Sequence, residues 1–501
     1  MNVVALLVIF AFLVFAIYLG IRARSGRDMD LEQWTTGGRG FGTLFVFLLM
    51  AGEIYTTFTF LGGSGWAYGN GGAALYILPY GTLAYVLSYW MLPAVWKYAK
   101  EHRCHSQSDF FVKKYNSPYL GVLTSLVAVI AMVPYLALQL KGLGLIVSTM
   151  SYGLIPSTMA MVIGLVAVTV YVIISGISGS AWTAVVKDIM VLAAAVFLGL
   201  YLPFALYGGF QPMFEEITQE KGAEFLIFGG DYPIAWFISS VLLSALGFYM
   251  WPHTFGASFT AQSTSVFRRN AIIMPLYQLI LLFVFFIGFA AVLAVPNLGE
   301  EEVDLALLTV VRETFSPWFV GLIGAAGLLT ALVPGSLLLM VSATILVKNV
   351  YGVFRPSTTE AQIVRYAKYL VPVVGLAALF FTLAGGQSIV ILLLLGYSLV
   401  TQLFPAMLIS LLPNAMNANK YGATAGILVG VATVAYLTIT ENNLGTLFPW
   451  LPQGIHAIHV GIVGLILNLI VLLIVSLATR GLVERERVTT AEERVRTRAT
   501  T

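Results

Sequence analysis

Two charged side chains lie within apolar stretches that are long enough to cross a lipid bilayer. Glu53 is the single charged residue between Phe41 and Gly69, and Lys141 lies in the sequence PYLALQLKGLG at 134–144. A charge at bilayer depth costs several kcal/mol unless it is paired, neutralised or faces a polar cavity. The two residues therefore indicate a route for a solute or an ion through the membrane.

Each of these charges has two possible roles. Glu53 could bind and release a coupling proton, or it could be a structural carboxylate that is paired with a base or caps the amides of a broken helix. Lys141 could attract a substrate carboxylate or pair with Glu53, or its ammonium could snorkel along its aliphatic stem to the membrane surface. We treat both residues as candidate substrate or coupling residues.

Neutral side chains extend this candidate set. Hydrogen-bonding groups at membrane depth are offered by Thr56, Thr59, Gln139, Tyr397 and Gln402. Each could contact a substrate or bond a neighbouring helix. Phe248, Tyr249 and Trp251 could line the same site or simply pack the interior. Lys187 and Asp188 lie near one end of their predicted helix, where we expect a surface ion pair or a gate.

Other kinds of chemistry find little support in the sequence. There is one cysteine, Cys104, and no Gly-Lys dipeptide, so an intrachain disulfide and a phosphate-binding P-loop are both excluded. The histidines and Cys104 lack a second ligand pair at zinc-like spacing, and the apolar stretches hold no nucleophile–base pair. We expect neither an enzyme nor a metal site, no cofactor and no nucleic-acid partner.

The composition is that of an all-α polytopic membrane protein. Charged residues make up 10% and hydrophobic residues 59% of 501 positions, and the mean hydropathy is +0.90. About 20 apolar residues are needed to span a bilayer as a helix. About thirteen stretches meet this length, at 2–23, 41–66, 72–97, 119–149, 156–176, 181–206, 234–252, 271–296, 318–348, 363–384, 387–413, 421–440 and 455–479.

Loop charges predict the orientation of the chain. If the N-terminus is outside, nearly all basic residues fall in inner loops and in the tail from Arg480, whereas the outer loops are acidic and keep only Lys221 and Arg312. This is the positive-inside pattern. It predicts a multi-pass protein of the plasma or inner membrane with its C-terminus in the cytoplasm.

Two predicted helices are interrupted inside the membrane. Gly62, Gly63 and Gly65 interrupt the span at 41–66, and Pro252 lies in GFYMWPHTFG at the end of the span at 234–252. Each break falls in the first helix of a five-helix block, 41–206 or 234–413. Matching breaks in two halves suggest an inverted-repeat transporter with a midplane site. Residues 1–40 would then form an extra helix and loop, 414–479 two peripheral helices, and 480–501 a cytoplasmic tail.

Several segments together resemble the sodium:solute symporter family. They are WTTGGRGFG after the first span, FLGGSGWAYG, YMWPH, and SATILVKNVY at the end of the ninth span. Within that family, Glu53-Ile54-Tyr55-Thr56, Thr59-Phe60 and PYLALQLKG at 134–142 are similar to bacterial monocarboxylate permeases. The resemblance implies a LeuT-like fold with a 5+5 inverted-repeat core, and secondary active transport.

The resemblance also locates the family's sodium site. Gly52 and Tyr55 fall at its two carbonyl donors in the first broken helix, and Thr330 at the carbonyl donor of the eighth core helix. Val333 and Pro334 fall where the family usually has two hydroxyl side chains. Because neither has a side-chain oxygen, we expect that this site does not bind sodium.

The sequence therefore predicts a symporter that imports a small organic anion, such as a monocarboxylate, and is coupled to a proton gradient. One alternative is a sodium-coupled symporter of another small solute, for example pantothenate, an amino acid or a sugar. Another, of a different class, is a channel or a transceptor. Expected partners are the small-molecule substrate, H⁺ or Na⁺, and the lipid bilayer.

Overall fold

The computed structural model describes residues 2–24, 30–52, 54–228, 232–299, 302–412 and 418–483. Within these ranges the chain is nearly all helical, and the one β-feature is a bridge between Phe41 and Ala261. The first half contains α1 Asn2–Arg24, α2 Leu31–Thr36, α3 Thr43–Ala51, α4 Gly63–Asn70, α5 Ile77–Glu101, α6 Gln107–Tyr115, α7 Pro118–Met150, α8 Ser157–Tyr207 and α9 Phe210–Lys221. The all-α prediction is confirmed.

The second half contains the remaining helices. They are α10 Ile234–Gly247, α11 Pro252–Ser258, α12 Thr264–Gln278, α13 Leu281–Ala294, α14 Ala306–Thr314, α15 Pro317–Ile345, α16 Gly352–Phe354, α17 Glu360–Ala384, α18 Ile389–Val400, α19 Phe404–Leu411, α20 Lys420–Ile439, α21 Leu444–Leu447 and α22 Val460–Ala478. Short π or 3₁₀ turns, such as Phe58–Gly62 and Phe248–Met250, join several of them.

Several of the helices start at residues whose side chains cap them. Ser117 accepts a hydrogen bond from the backbone N–H of Leu120 ahead of α7, and Ser388 does the same for Ile391 ahead of α18. Thr359 and Gln362 form a capping box at the start of α17. These side chains satisfy amides that have no partner within the helix. Polar residues thus help to set where α7, α17 and α18 begin.

The number of spans differs from the sequence prediction. In the described residues, ten helical segments are long and apolar enough to cross a membrane, or eleven if the bent pair α10–α11 is one span. Each of the thirteen predicted stretches overlaps a helix, but the exact count is not confirmed. The span at 41–66 divides at its break, leaving α3 with nine residues, and only Val3–Ala16 of the first helix is counted as a shorter apolar helix.

The core is organised around α15, whose side chains are buried almost without interruption from Val320 to Ile345. It packs against α1, α7, α8 and α17. The last two long helices, α20 and α22, pack mainly against each other and reach the core through α18 and α19. Apolar side chains on every face of α15 thus form the centre around which the interrupted helices lie.

Candidate transport site

The first interruption lies between α3 and the π-turn Phe58–Gly62. The prediction that Gly62, Gly63 and Gly65 interrupt this span was wrong, because Gly62 ends the π-turn and the other two glycines lie in α4. There the Thr59 hydroxyl donates to the carbonyl oxygen of Ile54 at 2.6 Å and accepts from the backbone N–H of Thr56 at 3.1 Å. The Thr56 hydroxyl in turn accepts from the N–H of Phe58 at 3.2 Å. Both predicted site residues therefore lie at the break, where their hydroxyls bond the unwound backbone. Glu53, in the same segment, lies outside the described residues.

A lysine from another helix supplies a hydrogen-bond donor to the backbone at this break. The Nζ atom of Lys187, on α8, donates to the carbonyl oxygens of Gly52 and Tyr55, each at 2.9 Å. The Lys187 side chain is 0% exposed, and its Nζ lies 3.0 Å from Oδ1 of Asp188, which is 4% exposed. The expectation of a surface ion pair was wrong, because α8 packs against α3 and turns the lysine inward.

The carbonyls bound by Lys187 are the two that the family resemblance gives to a sodium ion. On α15, where the resemblance places the other ligands, Val333 is 1% exposed and Pro334 is buried, and neither has a side-chain oxygen. The Thr330 hydroxyl donates to the carbonyl of Gly327 at 2.5 Å, so it is engaged within its own helix. As observed, the position offers an ammonium with hydrogen-bond donors instead of a set of oxygen ligands.

The second interruption is lined by aromatic rings. Residues 234–258 bend by 55° where α10 and its 3₁₀ turn meet α11, and Trp251 there has extended backbone. The centroid of the Trp251 ring lies 4.9 Å from the ring centroid of Tyr135 and 5.3 Å from that of Tyr397. Phe248 contacts Tyr249, with ring centroids 5.0 Å apart. The structure thus brings four predicted site residues, Phe248, Tyr249, Trp251 and Tyr397, to this second break.

At the second break, a glutamine from another helix forms a hydrogen bond with the backbone. The Nε2 atom of Gln107, on α6, donates to the carbonyl oxygen of Met250 at 2.7 Å. The close approach of α18 depends on Gly396, because a Cβ atom there would lie 2.5 Å from the Trp251 ring. Both breaks are therefore held by side chains of other helices, as expected for irregular backbone at membrane depth.

The two predicted glutamines differ in their surroundings. Gln139 is 2% exposed, adjoins a cavity of about 10 Å³ beside Gly335, and its amide has no hydrogen-bond partner among the described residues. The Gln402 amide donates to the carbonyls of Ser398 and Gly461, and it accepts from Asn468 at 3.2 Å. Gln402 thus links α18–α19 to the peripheral helix α22.

Lys141 binds a carboxylate at one end of the bundle. Its Nζ lies 2.8 Å from Oδ2 of Asp304, which is 1% exposed, and donates to the carbonyl of Gln387 at 3.0 Å. Asp304 also accepts from the backbone N–H of Ile389, at the start of α18. A Cβ atom at Gly65 would lie 2.5 Å from the carbonyl oxygen of Val303, so this segment lies directly against the first broken helix.

A second charged network lies near the ends of α5, α6 and α15. Asp109 pairs with Lys348, and its Oδ1 accepts from the Asn349 amide at 2.7 Å. Burial raises the pKa of the Asp109 carboxyl, but the Lys348 charge and several hydrogen bonds hold it below the ordinary 3.8. Burial and Lys348 together lower the pKa of neighbouring His105 below 6.5, so its imidazole is neutral at pH 7.

Metal chemistry has no candidate site in the part of the chain that the structure describes. No group of three or more His, Cys, Asp or Glu side chains there is arranged to hold an ion. Lys187 and Asp304 are functional candidates that sequence reasoning missed as site residues. The one sequence signal for Lys187 was a Lys-Asp pair within an apolar helix, where charges usually have a function.

Two interrupted helices that meet polar groups of their neighbours within an all-helical bundle define a secondary transporter. The model of the sodium:solute symporter family matches residues 34–430, and the chain belongs to that family. Its members are transporters and not enzymes, so this chain is a membrane-embedded symporter that takes a small molecule and a coupling ion.

Similar proteins agree with this assignment. The chain is 63% identical to the uncharacterized symporter YhjB of Bacillus subtilis strain 168, over 95% of this chain and 97% of that protein. It is 29% identical to a monocarboxylate transport permease protein of Rhizobium johnstonii, over 87% and 89% of the two chains. A sodium-coupled sialic acid symporter has the same fold, with a TM-score of 0.77 at 17% identity, over 94% and 97% of the two chains. The LeuT-like fold prediction is confirmed.

Proposed function

We propose that this symporter imports a small organic anion, a monocarboxylate such as lactate or pyruvate, together with a proton. The substrate class is supported by the 29% identity to a monocarboxylate transport permease across most of both chains. We propose that the anion binds between the two breaks, with Phe248, Tyr249, Trp251 and Tyr397 as its apolar wall. Thr56, Thr59 and Gln139 are the proposed neutral hydrogen-bonding groups of the same pathway.

The observation that carries proton coupling is the position of Lys187. Its ammonium already donates to the carbonyls of Gly52 and Tyr55, the pair that a sodium ion would need. Sodium is a hard cation that takes oxygen ligands, and Val333 and Pro334 add none. A site that holds a tethered cation and lacks two oxygen ligands is a poor sodium site, which favours the proton gradient as the driving force.

Three charged residues have proposed roles in this transport cycle. Glu53 is the proposed proton carrier, because an acid within an apolar span usually has a function. Lys141 and Asp304 form a pair beside the first broken helix, and we propose that the pair closes the outer end of the pathway. In this role Lys141 would meet the substrate carboxylate only when the pair opens.

We propose that the N-terminus lies outside and the C-terminus in the cytoplasm of the plasma or inner membrane. The distribution of basic residues supports this orientation. Contacts among Arg39, Cys104, Asp109 and Lys348 support it as well, because these residues come from three segments predicted to share the inner face. We also propose the blocks 41–206 and 234–413 as the two repeats of the core.

Sodium coupling is the competing candidate. The family is named for sodium, and a structural neighbour, the sialic acid symporter, is sodium-coupled. In that case the ion would bind at a place other than the carbonyl pair of Gly52 and Tyr55. A channel or transceptor has no specific observation in its favour.

The test is uptake of labelled lactate and pyruvate into proteoliposomes under separately imposed gradients. The proposal predicts accumulation when the outside is acidic and sodium is absent. It also predicts no accumulation when an inward sodium gradient is imposed at equal pH. Accumulation that requires sodium would overturn the coupling assignment, and uptake that never exceeds equilibrium would indicate a channel.

A further inference from the structure

The family implies a sodium ion at the carbonyls of Gly52 and Tyr55, and the residues around them do not fit one. We propose that the Lys187 ammonium is a built-in cation that replaces this ion and joins the first broken helix to α8. The inference rests on the proposed transport function but not on the identity of the coupling ion.

The hydrogen bonds at the break leave the Gly52 carbonyl available for a cation. In a continuous helix this oxygen would accept from the N–H of Thr56, four residues later. Here the N–H of Thr56 donates to the hydroxyl of Thr59 instead. The oxygens of Gly52 and Tyr55 therefore both point at a donor from another helix, and Lys187 is that donor.

The energetic argument concerns burial. Lys187 is 0% exposed, and an ammonium removed from water is expensive unless several partners compensate for its lost hydration. Two carbonyl oxygens at 2.9 Å and the Asp188 carboxylate at 3.0 Å supply that compensation. An apolar side chain of similar volume would avoid the cost but would leave both carbonyls without a donor. The ammonium and the two carbonyls therefore each satisfy the hydrogen-bonding needs of the other.

The space around Gly52 shows how close the Lys187 ammonium lies to the backbone. A Cβ atom added at Gly52 would lie 3.4 Å from Nζ of Lys187, so the nitrogen sits against the backbone of the unwound segment. Shortening the side chain in Lys187→Ala would leave room for a small cation between the carbonyls and Asp188. Lys187→Met would instead fill the space without a charge and is the matched control.

The first experiment measures cation binding by thermal unfolding of the purified full-length protein. The probe is methylammonium chloride, which has N–H donors, and choline chloride at equal concentration is the control, since its nitrogen has none. We expect methylammonium to raise the apparent Tm of Lys187→Ala relative to choline, and to leave the wild type and Lys187→Met unchanged. An equal response of the three proteins would overturn the proposal.

The second experiment measures counterflow of labelled lactate or pyruvate, which needs no ion gradient. We expect Lys187→Ala to lose about tenfold or more of the wild-type rate, since one partner of a buried charged contact is gone. Methylammonium should restore part of it, whereas Lys187→Met should stay inactive with methylammonium. Lys187→Arg, which keeps the charge, should retain more activity than Lys187→Met.

Two further results would overturn the inference: wild-type counterflow in Lys187→Met, or a folded Lys187→Ala that methylammonium neither stabilises nor restores. A different result marks failure of the proposed function. If the wild-type protein itself shows no counterflow of either substrate, the substrate assignment fails. The thermal-unfolding comparison still tests the role of Lys187 in that case.

Discussion

The Nζ atom of Lys187 and the carbonyl oxygen of Gly52 lie 2.9 Å apart, although 135 positions separate the two residues in the sequence. This contact joins the long helix α8 to the point at which the first broken helix unwinds. It puts a side-chain ammonium on a backbone oxygen that the family resemblance assigns to a sodium ion. The other predictions follow from contacts around the same broken helix and at the ends of the bundle.

The first prediction concerns the pair Lys141–Asp304. Replacing either partner leaves the other charge largely buried, so Lys141→Met or Asp304→Leu should each lower the free energy of unfolding by about 3 kcal/mol. The double variant should be more stable than the sum of the single losses implies, because neither charge remains. Thermal or denaturant unfolding of the four proteins measures this coupling. Strictly additive losses would contradict a direct pair.

Substrate affinity of the same variants separates two roles for Lys141. If Lys141 meets the substrate carboxylate when the pair opens, Lys141→Met should weaken binding of lactate or pyruvate more than Asp304→Leu does. Equal affinity of Lys141→Met and the wild-type protein would eliminate the anion-binding role and leave a closing pair alone.

A second prediction concerns the approach of α7 to the unwound segment. A Cβ atom at Gly142 would lie 1.8 Å from Cγ2 of Thr57, so Gly142→Ala should push the two apart and strongly reduce transport. Adding Thr57→Ser removes that methyl group and should recover part of the activity. Gly256→Ala is the control, because no atom lies within 4 Å of its added Cβ. Uptake and the amount of folded protein are measured together; full activity of Gly142→Ala would contradict the packing.

The third prediction is a pH dependence of stability at the Asp109 network. His105 has a pKa below its ordinary 6.5, so the contribution of its neutral form is complete above pH 6.5 and is lost as the pH falls. Asp109 has a pKa below 3.8, so its contribution stays constant from pH 8 to pH 5. Thermal unfolding over this range should show a loss on acidification that His105→Asn reduces.

Asp109→Asn provides the comparison for that pH series. It removes the carboxylate that pairs with Lys348. In a His105→Asn background, where the imidazole cannot titrate, the destabilisation should be nearly the same at pH 8 and pH 5. A destabilisation that vanishes at pH 5 would mean that Asp109 titrates in this range, contrary to its lowered pKa.

The fourth prediction concerns Glu53. If its carboxyl carries the coupling proton, Glu53→Gln should abolish accumulation driven by a pH gradient while keeping counterflow, because exchange of substrate needs no net proton movement. Asp109→Asn is a useful control, since it removes a carboxylate from a different network. Unchanged pH-driven accumulation in Glu53→Gln would eliminate Glu53 as the carrier.

Much of the fold follows from local sequence, because apolar stretches of spanning length and their capping residues are local properties. The break at Pro252 was predictable for the same reason, whereas the first break lies before Phe58 and not at the glycines from Gly62 to Gly65. Lys187 was not, since its role depends on which face of α8 packs against α3. Gln402 contacts α22 for a similar reason: the arrangement of α18 and the peripheral helices decides what its amide meets. Sequence alone identifies polar groups at membrane depth but not their partners.

The most direct test of proton coupling is whether substrate brings protons into the vesicle. Sodium-free proteoliposomes with a pH-sensitive dye and weak internal buffer receive external lactate or pyruvate, with protein-free liposomes correcting for passive entry of the acid. We predict internal acidification above that background in the wild-type protein and none above it in Lys187→Met. In a parallel assay with labelled sodium added outside, substrate-dependent sodium entry without acidification above background would contradict proton coupling and the replacement of sodium by Lys187.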